Sequence, residues 1–170
     1  MDRVNLLHAM KAFTMETTKD LLLPVRKQKG DEGEQTRSPV VFLMRVPDNS
    51  SATKKAPYIL HQTITGKDEQ KPGEQPESSS TVRTIFCVYN EDGEEGSLAL
   101  LGLMERWRIA VMKQRVIDNR YEVDMDAGMD SLIYPDDTAP YYIGELVSTW
   151  SIPPVERELT NLWLKENRLP

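Results

Sequence analysis

The order of apolar runs constrains this chain more than any other feature. Three strand-like runs, at 40–46, 58–65 and 81–89, follow one another before a long helical run intervenes, and a fourth lies at 141–152. Strands grouped this way, instead of alternating with helices, point to an α+β fold and away from a doubly wound one. In the first run Val40, Phe42, Met44 and Val46 alternate with Val41, Leu43 and Arg45. Both of its faces are largely apolar, so both are expected to be covered. The short polar link at 48–56 predicts an antiparallel hairpin between the first run and the second. In the third run Val82, Phe86 and Val88 share one face and Ile85, Cys87 and Tyr89 the other.

Helical spacing is equally plain. Leu6, Leu7, Met10, Phe13, Thr17 and Leu21 predict a helix over 4–23, stopped by Pro24. Asp92 followed by Glu95 has the form of a capping box. The helix it opens is expected to reach about Ile117, with Leu100, Leu103, Met104, Trp107, Ala110 and Val111 as a broad apolar face. A short strand at 121–125 and a short C-terminal helix at 156–167, with Leu159, Leu162 and Trp163 on one side, complete the reading. The expected architecture is therefore α+β: a mainly antiparallel sheet of about four to five strands, flanked by an N-terminal helix, a long central helix and a short C-terminal helix.

Two polar stretches interrupt this plan. Residues 26–38 hold two glycines, and 66–80 (GKDEQKPGEQPESSS) hold no large apolar side chain. Both read as mobile loops of a single domain over 1–155, with 156–170 as a helical extension. A polar segment of this kind orders against a partner. That makes Lys67, Asp68, Glu69, Lys71 and Glu74 candidate contact residues.

Charge and cysteine content narrow the function classes. The 170 residues carry a formal net charge of −6, which repels phosphates and argues against nucleic-acid binding. Cys87 is the sole cysteine, so no disulfide within the chain can hold the fold and a reducing setting is expected. Charges at Asp2, Arg3, Lys11, Glu16, Lys19 and Asp20 do not suit a signal peptide, and no apolar run has the ~18 residues of a membrane helix. A cytoplasmic protein, or one released as part of an assembly, is the expectation.

Catalytic patterns are wanting. His8 and His61 are the two imidazoles, one on the first helix and one in a strand, and both read as structural or exposed groups. Cys87 sits in an apolar run and reads as a buried, inert thiol. No Walker A, G-x-G-x-x-G or G-x-S-x-G pattern occurs. Asp118, Asp124, Asp126 and Asp130 offer oxygen ligands for a hard cation, but their spacing is not that of an EF-hand loop. A solvated acidic loop is the preferred reading, and no catalytic residue, metal or cofactor is assigned.

Interface chemistry remains. Trp150, Ile152, Pro153 and Pro154 close the last strand as an apolar edge, and Leu159, Leu162 and Trp163 form a second apolar set. The stretches LLGLMERWRIAVMKQRVIDNRYEVD and SLIYPDDTAPYYIGELVSTWSIPPVERE resemble phage tail-terminator and related neck or tail-completion proteins. The resemblance lies in a helix of this length, then irregular chain, then a strand opened by Tyr142, Ile143, Gly144 and Glu145 and closed by Trp150, Pro153 and Pro154. It covers 98–158 in sequence and most of the chain in order of elements.

The resemblance implies a non-enzymatic virion protein of the tail or neck, made in the host cytoplasm. Such proteins form rings, usually of six subunits, that cap the tail tube, end its polymerisation and present a head-attachment surface. The implied partners are further copies of the chain, the tail tube protein and a neck or head-completion protein, with DNA only in transit through the lumen and no membrane. Two alternatives stay open: a monomeric head-completion or adaptor protein that orders on docking, and a divalent-cation-binding protein or enzyme built on the acidic 118–137 loop.

Overall fold

The computed structural model describes residues 2–30, 32–33, 35–47, 55–135 and 138–155. Two helices and nine strands are described: α1 (Asp2–Thr18), β1 (Leu23–Pro24), β2 (Thr36–Arg37), β3 (Val40–Leu43), β4 (Tyr58–Glu69), β5 (Glu77–Tyr89), α2 (Gly93–Gln114), β6 (Val116–Ile117), β7 (Tyr121–Val123), β8 (Met129–Ile133) and β9 (Tyr141–Ile152). Seven strands form one mixed sheet in the order β3-β4-β5-β9-β7-β6, with β8 also pairing β9. A small β1-β2 pair stands apart.

The α+β class stands, but the expected sheet of four to five mainly antiparallel strands does not. Seven strands take part, and β3 runs parallel to β4, with Val40 opposite Tyr58 and Leu43 opposite His61. The expected antiparallel hairpin between them fails, and the chain leaves β3 by a sharp turn. Met44 takes a φ of +60°, and Arg45 N–H donates to the Leu43 carbonyl at 2.6 Å. Such a three-residue turn carries Val46 onto the sheet face beside Ala56, Tyr58 and Leu60. The proposed C-terminal helix, with Leu159, Leu162 and Trp163, lies outside the described residues.

The remaining strands come from segments with little apolar alternation. The polar 66–80 stretch is mostly strand, because β4 continues to Glu69 and β5 starts at Glu77. Its tip is a Pro72-Gly73 turn in which Glu74 N–H donates to the Lys71 carbonyl at 3.0 Å and Gly73 takes a φ of +81°, as a type II turn requires. The central helix stops at Gln114, before the expected end. Val116–Ile117 and Tyr121–Val123 then form a hairpin across residues 118–120, with Asp118 and Asn119 both at positive φ and Arg120 N–H donating to the Ile117 carbonyl at 3.2 Å.

Both helices pack on one face of the sheet. There Leu6, Met10, Ile59, Phe86, Leu100, Leu103, Trp107, Tyr121, Leu146 and Trp150 form the main core, each essentially closed to solvent. Asp92 caps α2, its carboxylate accepting the Glu95 N–H at 3.0 Å. Arg106 of α2 donates its Nε–H to the Thr17 carbonyl at 2.8 Å and pairs with Asp20, supplying positive charge where α1 leaves carbonyls unpaired. A smaller cluster of Ala56, Tyr58, Leu60, Cys87 and Tyr89 lies on the opposite face, away from both helices.

Candidate interaction surface

The sheet face opposite the helices divides into two halves because of where polar side chains fall along its strands. On β4, residues 58, 60 and 62 point outward. The irregular register between Thr63 and Thr65 shifts the phase by one, so that 65, 67 and 69 point outward beyond it. The outward set on β5 is 79 to 89 in odd numbers, and on β9 it is 141 to 151 in odd numbers.

A polar belt crosses the middle of this face. Gln62 donates its Nε2–H to the Met44 carbonyl at 2.8 Å and accepts from Arg83 Nη2 at 2.8 Å. Arg83 Nη1 lies 3.9 Å from Glu145, whose other partner is the donating hydroxyl of Tyr134 at 2.5 Å. The belt thus joins the chain after β3 to β4, β5, β9 and the residue after β8. The carboxylate beside Tyr134 holds that phenol above its ordinary pKa.

On one side of the belt lies an aromatic and aliphatic patch. Phe42, Ile85, Tyr141 and Ile143 are half-buried around Tyr58, Leu60, Cys87 and Tyr89. Burial pushes the Cys87 thiol up to about 12, so it stays protonated at neutral pH and is no nucleophile. On the other side is a groove of about 680 Å³ with hydroxyl-rich walls from Thr65, Ser79, Thr81, Thr149 and Ser151. The Thr81 and Thr149 hydroxyls are 3.1 Å apart across the β5-β9 pair.

The arm residues named from sequence divide between two faces. Lys67 and Glu69 line the groove and pair with each other at 2.7 Å. Asp68 turns to the helix side. There Arg3 reaches it at 2.7 Å and Ser78 donates to it at 2.7 Å, and both contacts hold its carboxyl below the usual range. Gly66 lies where a Cβ would meet the Arg3 guanidinium, so α1 seats directly on the arm. Lys71 and Glu74 sit exposed at the tip, 3.7 Å apart.

The last-strand residues behave differently from the expected apolar edge. Trp150 is fully buried in the main core and donates its Nε1–H to Ser148 at 2.9 Å, and Ile152 is buried beside it. Pro154 borders the groove, and Pro153 lies in a neighbouring depression with Arg3, Asp68 and Val155. Trp150 and Ile152 point inward because residues 146, 148, 150 and 152 all share the helix-facing side of β9.

Groups considered for chemistry are engaged in packing. His61 is fully buried between Thr14 and Thr84, and burial pushes its pKa down to about 3. His8 is exposed on α1. Asp124 accepts the N–H groups of Asp126 and Ala127 at 2.9 and 3.1 Å, closing its own turn. Among the described residues no three His, Cys, Asp or Glu side chains converge to hold a metal ion.

Sequence reasoning missed the surface residues Ile64, on β4 beyond its pairing with β3, and Leu132 and Ile133, on the edge strand β8, all apolar and exposed. The Ser-Leu-Ile run at 131–133, short and free of proline or lysine, was the available signal. Searched against known proteins, the chain matches no family model and no curated protein.

Proposed function

We infer that the chain is a structural subunit of a phage-type tail or neck. In this reading it forms a ring that caps the tail tube, ends its polymerisation and presents a surface for head attachment. The observation that carries the reading is the sheet face away from both helices, with its apolar patch, cross-strand belt and arm-lined groove. Surface of this kind suits contact with another folded protein better than catalysis on a small molecule. The resemblance over 98–158 supplies the particular assembly.

The mechanism is one of complementary surfaces. A head-to-tail contact that closes by rotation gives a ring of fixed size. One face of the ring matches the last turn of the tube, and the other fails to template a further turn. A net charge of −6 makes assembly depend on salt and keeps a lumen from holding DNA tightly.

Light scattering after size exclusion, at low and high salt, tests the reading. A closed multimer that blocks elongation of tail tubes in a mixing experiment supports it. A strict monomer that binds no tube end removes the ring, and leaves a protein that assembles only on a partner.

A further inference from the structure

Among the open edges of the sheet, those of β3 and β8 match each other. On one side β3 pairs only β4, and on the other β8 pairs only β9 among the described residues. We propose that β8 of one copy pairs antiparallel with β3 of the next, making one sheet continuous across subunits; this rests on the ring-assembly reading above.

Backbone geometry sets which groups are offered. Val40 N–H donates to the Pro57 carbonyl and Met44 N–H to the His61 carbonyl, so even-numbered residues of β3 face β4. The N–H groups of Val41 and Leu43 therefore face the open side. On β8, Tyr134 N–H donates to the Ile143 carbonyl, which places Ser131 and Ile133 on the open side. Setting Leu43 opposite Ser131 and Val41 opposite Ile133 joins offered groups to offered groups.

This register also matches the faces. Val41 is buried on the helix side, and Ile133, opposite the inward Gly144, belongs to that side too. Phe42 and Leu132 fall opposite each other on the outer face. Leu132 is 53% and Ile133 42% exposed in the single chain, and both would be covered. Val41, Phe42, Leu132 and Ile133 make apolar edge stretches without proline or lysine, backbone that a further strand can pair.

Charge chooses the head-to-tail arrangement over a two-fold one. Arg37 and Arg45 flank β3, whereas Asp130 lies in β8. In the antiparallel register Arg45 comes beside Asp130. Pairing β3 with β3 would instead set Arg45 beside Arg37, like charge beside like. The directions agree as well. β3 and β4 run one way, β5 the other, β9 with β4 and β8 against it. Copies related by rotation about an axis along the strands therefore meet antiparallel at this seam.

The test combines light scattering of the unaltered chain with oxidation of a Phe42→Cys, Leu132→Cys double variant. Opposed cysteines in such a pair lie within disulfide reach. The expected result is a ladder of covalent multimers from the double variant and none from either single variant. A Ser131→Pro variant, which removes an offered N–H, should shift the scattering mass to one chain while its circular dichroism stays native. Covalent dimers from one single variant would show a two-fold contact and overturn the proposal. A multimer without a ladder would overturn this seam and leave the ring reading standing. A monomeric unaltered chain at every salt would remove both.

Discussion

Trp107 and His61 reach the same hydroxyl. The indole Nε1–H donates to Thr14 Oγ1 at 2.8 Å, and His61 Nε2 lies 2.9 Å from that oxygen, with the two rings 5.8 Å apart. Thr14 Oγ1, which accepts from the indole, also shares a hydrogen bond with His61 Nε2, and His61 Nδ1 lies 3.0 Å from Thr84 Oγ1. One polar chain thereby ties α1, α2, β4 and β5 together inside an apolar core.

Replacing Thr14 with Val keeps the shape of this junction and removes its hydrogen bonds. The indole N–H and one imidazole nitrogen would be left buried without partners. Each such group costs about 1–3 kcal/mol, so Thr14→Val should lower stability by about 3 kcal/mol. Denaturant unfolding should show a lower midpoint with an unchanged slope. A loss below about 1 kcal/mol would mean that the junction relaxes or admits water.

The same burial makes stability depend on pH. The His61 pKa falls from an ordinary 6.5 to about 3 in the folded chain, so the unfolded chain binds the extra proton between those values. Its contribution is complete above pH 6.5 and is lost as pH falls towards 3, by about 1.4 kcal/mol per pH unit. His61→Gln removes this titration, so its stability should fall less steeply than that of the unaltered chain between pH 6 and 4. Parallel curves would show that His61 is not the group responsible.

Gly144 sets how closely α2 crosses β9. A Cβ built there would lie 2.6 Å from Met104 Sδ and 3.1 Å from the Leu132 carbonyl oxygen, against α2 on one side and β8 on the other. Gly144→Ala should cost about 1–3 kcal/mol by overpacking. Pairing it with Met104→Ala should recover part of that loss, so the double variant is more stable than the two single effects sum to. Strict additivity, measured by thermal unfolding, would place the strain at the Leu132 carbonyl alone.

Legibility in the sequence followed where apolar side chains decide structure. The faces of β5 and the buried side of α2 were readable from Val82, Phe86, Leu100, Leu103 and Trp107, because one-sided burial imposes a period. Thr14 and Thr18 were not, since a hydroxyl reads as surface until its partners are seen. They are buried on α1 where Phe13 and Thr17 are only half-buried. The outer halves of β4 and β5 escaped for a similar reason. Ser78, Ser79 and Ser80 are held by pairing with Ile152, Ser151 and Trp150 of β9, a long-range contact that leaves no local pattern. The parallel β3-β4 pair depends on the turn at Met44, a residue with no preference for positive φ. At the candidate surface, alternation named Trp150 correctly as part of a strand, but the strand's phase, which puts it in the core, is set by β5.

Cys87 gives a direct measure of how the outer patch opens. Its side chain is closed to solvent between Tyr58 and Tyr89 on the sheet face away from the helices, and its thiol is pushed up to about 12. A thiol reagent at neutral pH needs both access and thiolate, and the folded chain supplies neither. Reaction should therefore be negligible in native buffer and complete in denaturant. Tyr58→Ala opens the patch without touching the helix-side core, so it should speed labelling at denaturant concentrations well below the unfolding midpoint. If the unaltered chain labels rapidly in native buffer, the patch opens locally with little free-energy cost, and the sheet face around Cys87 is then the least protected part of the fold.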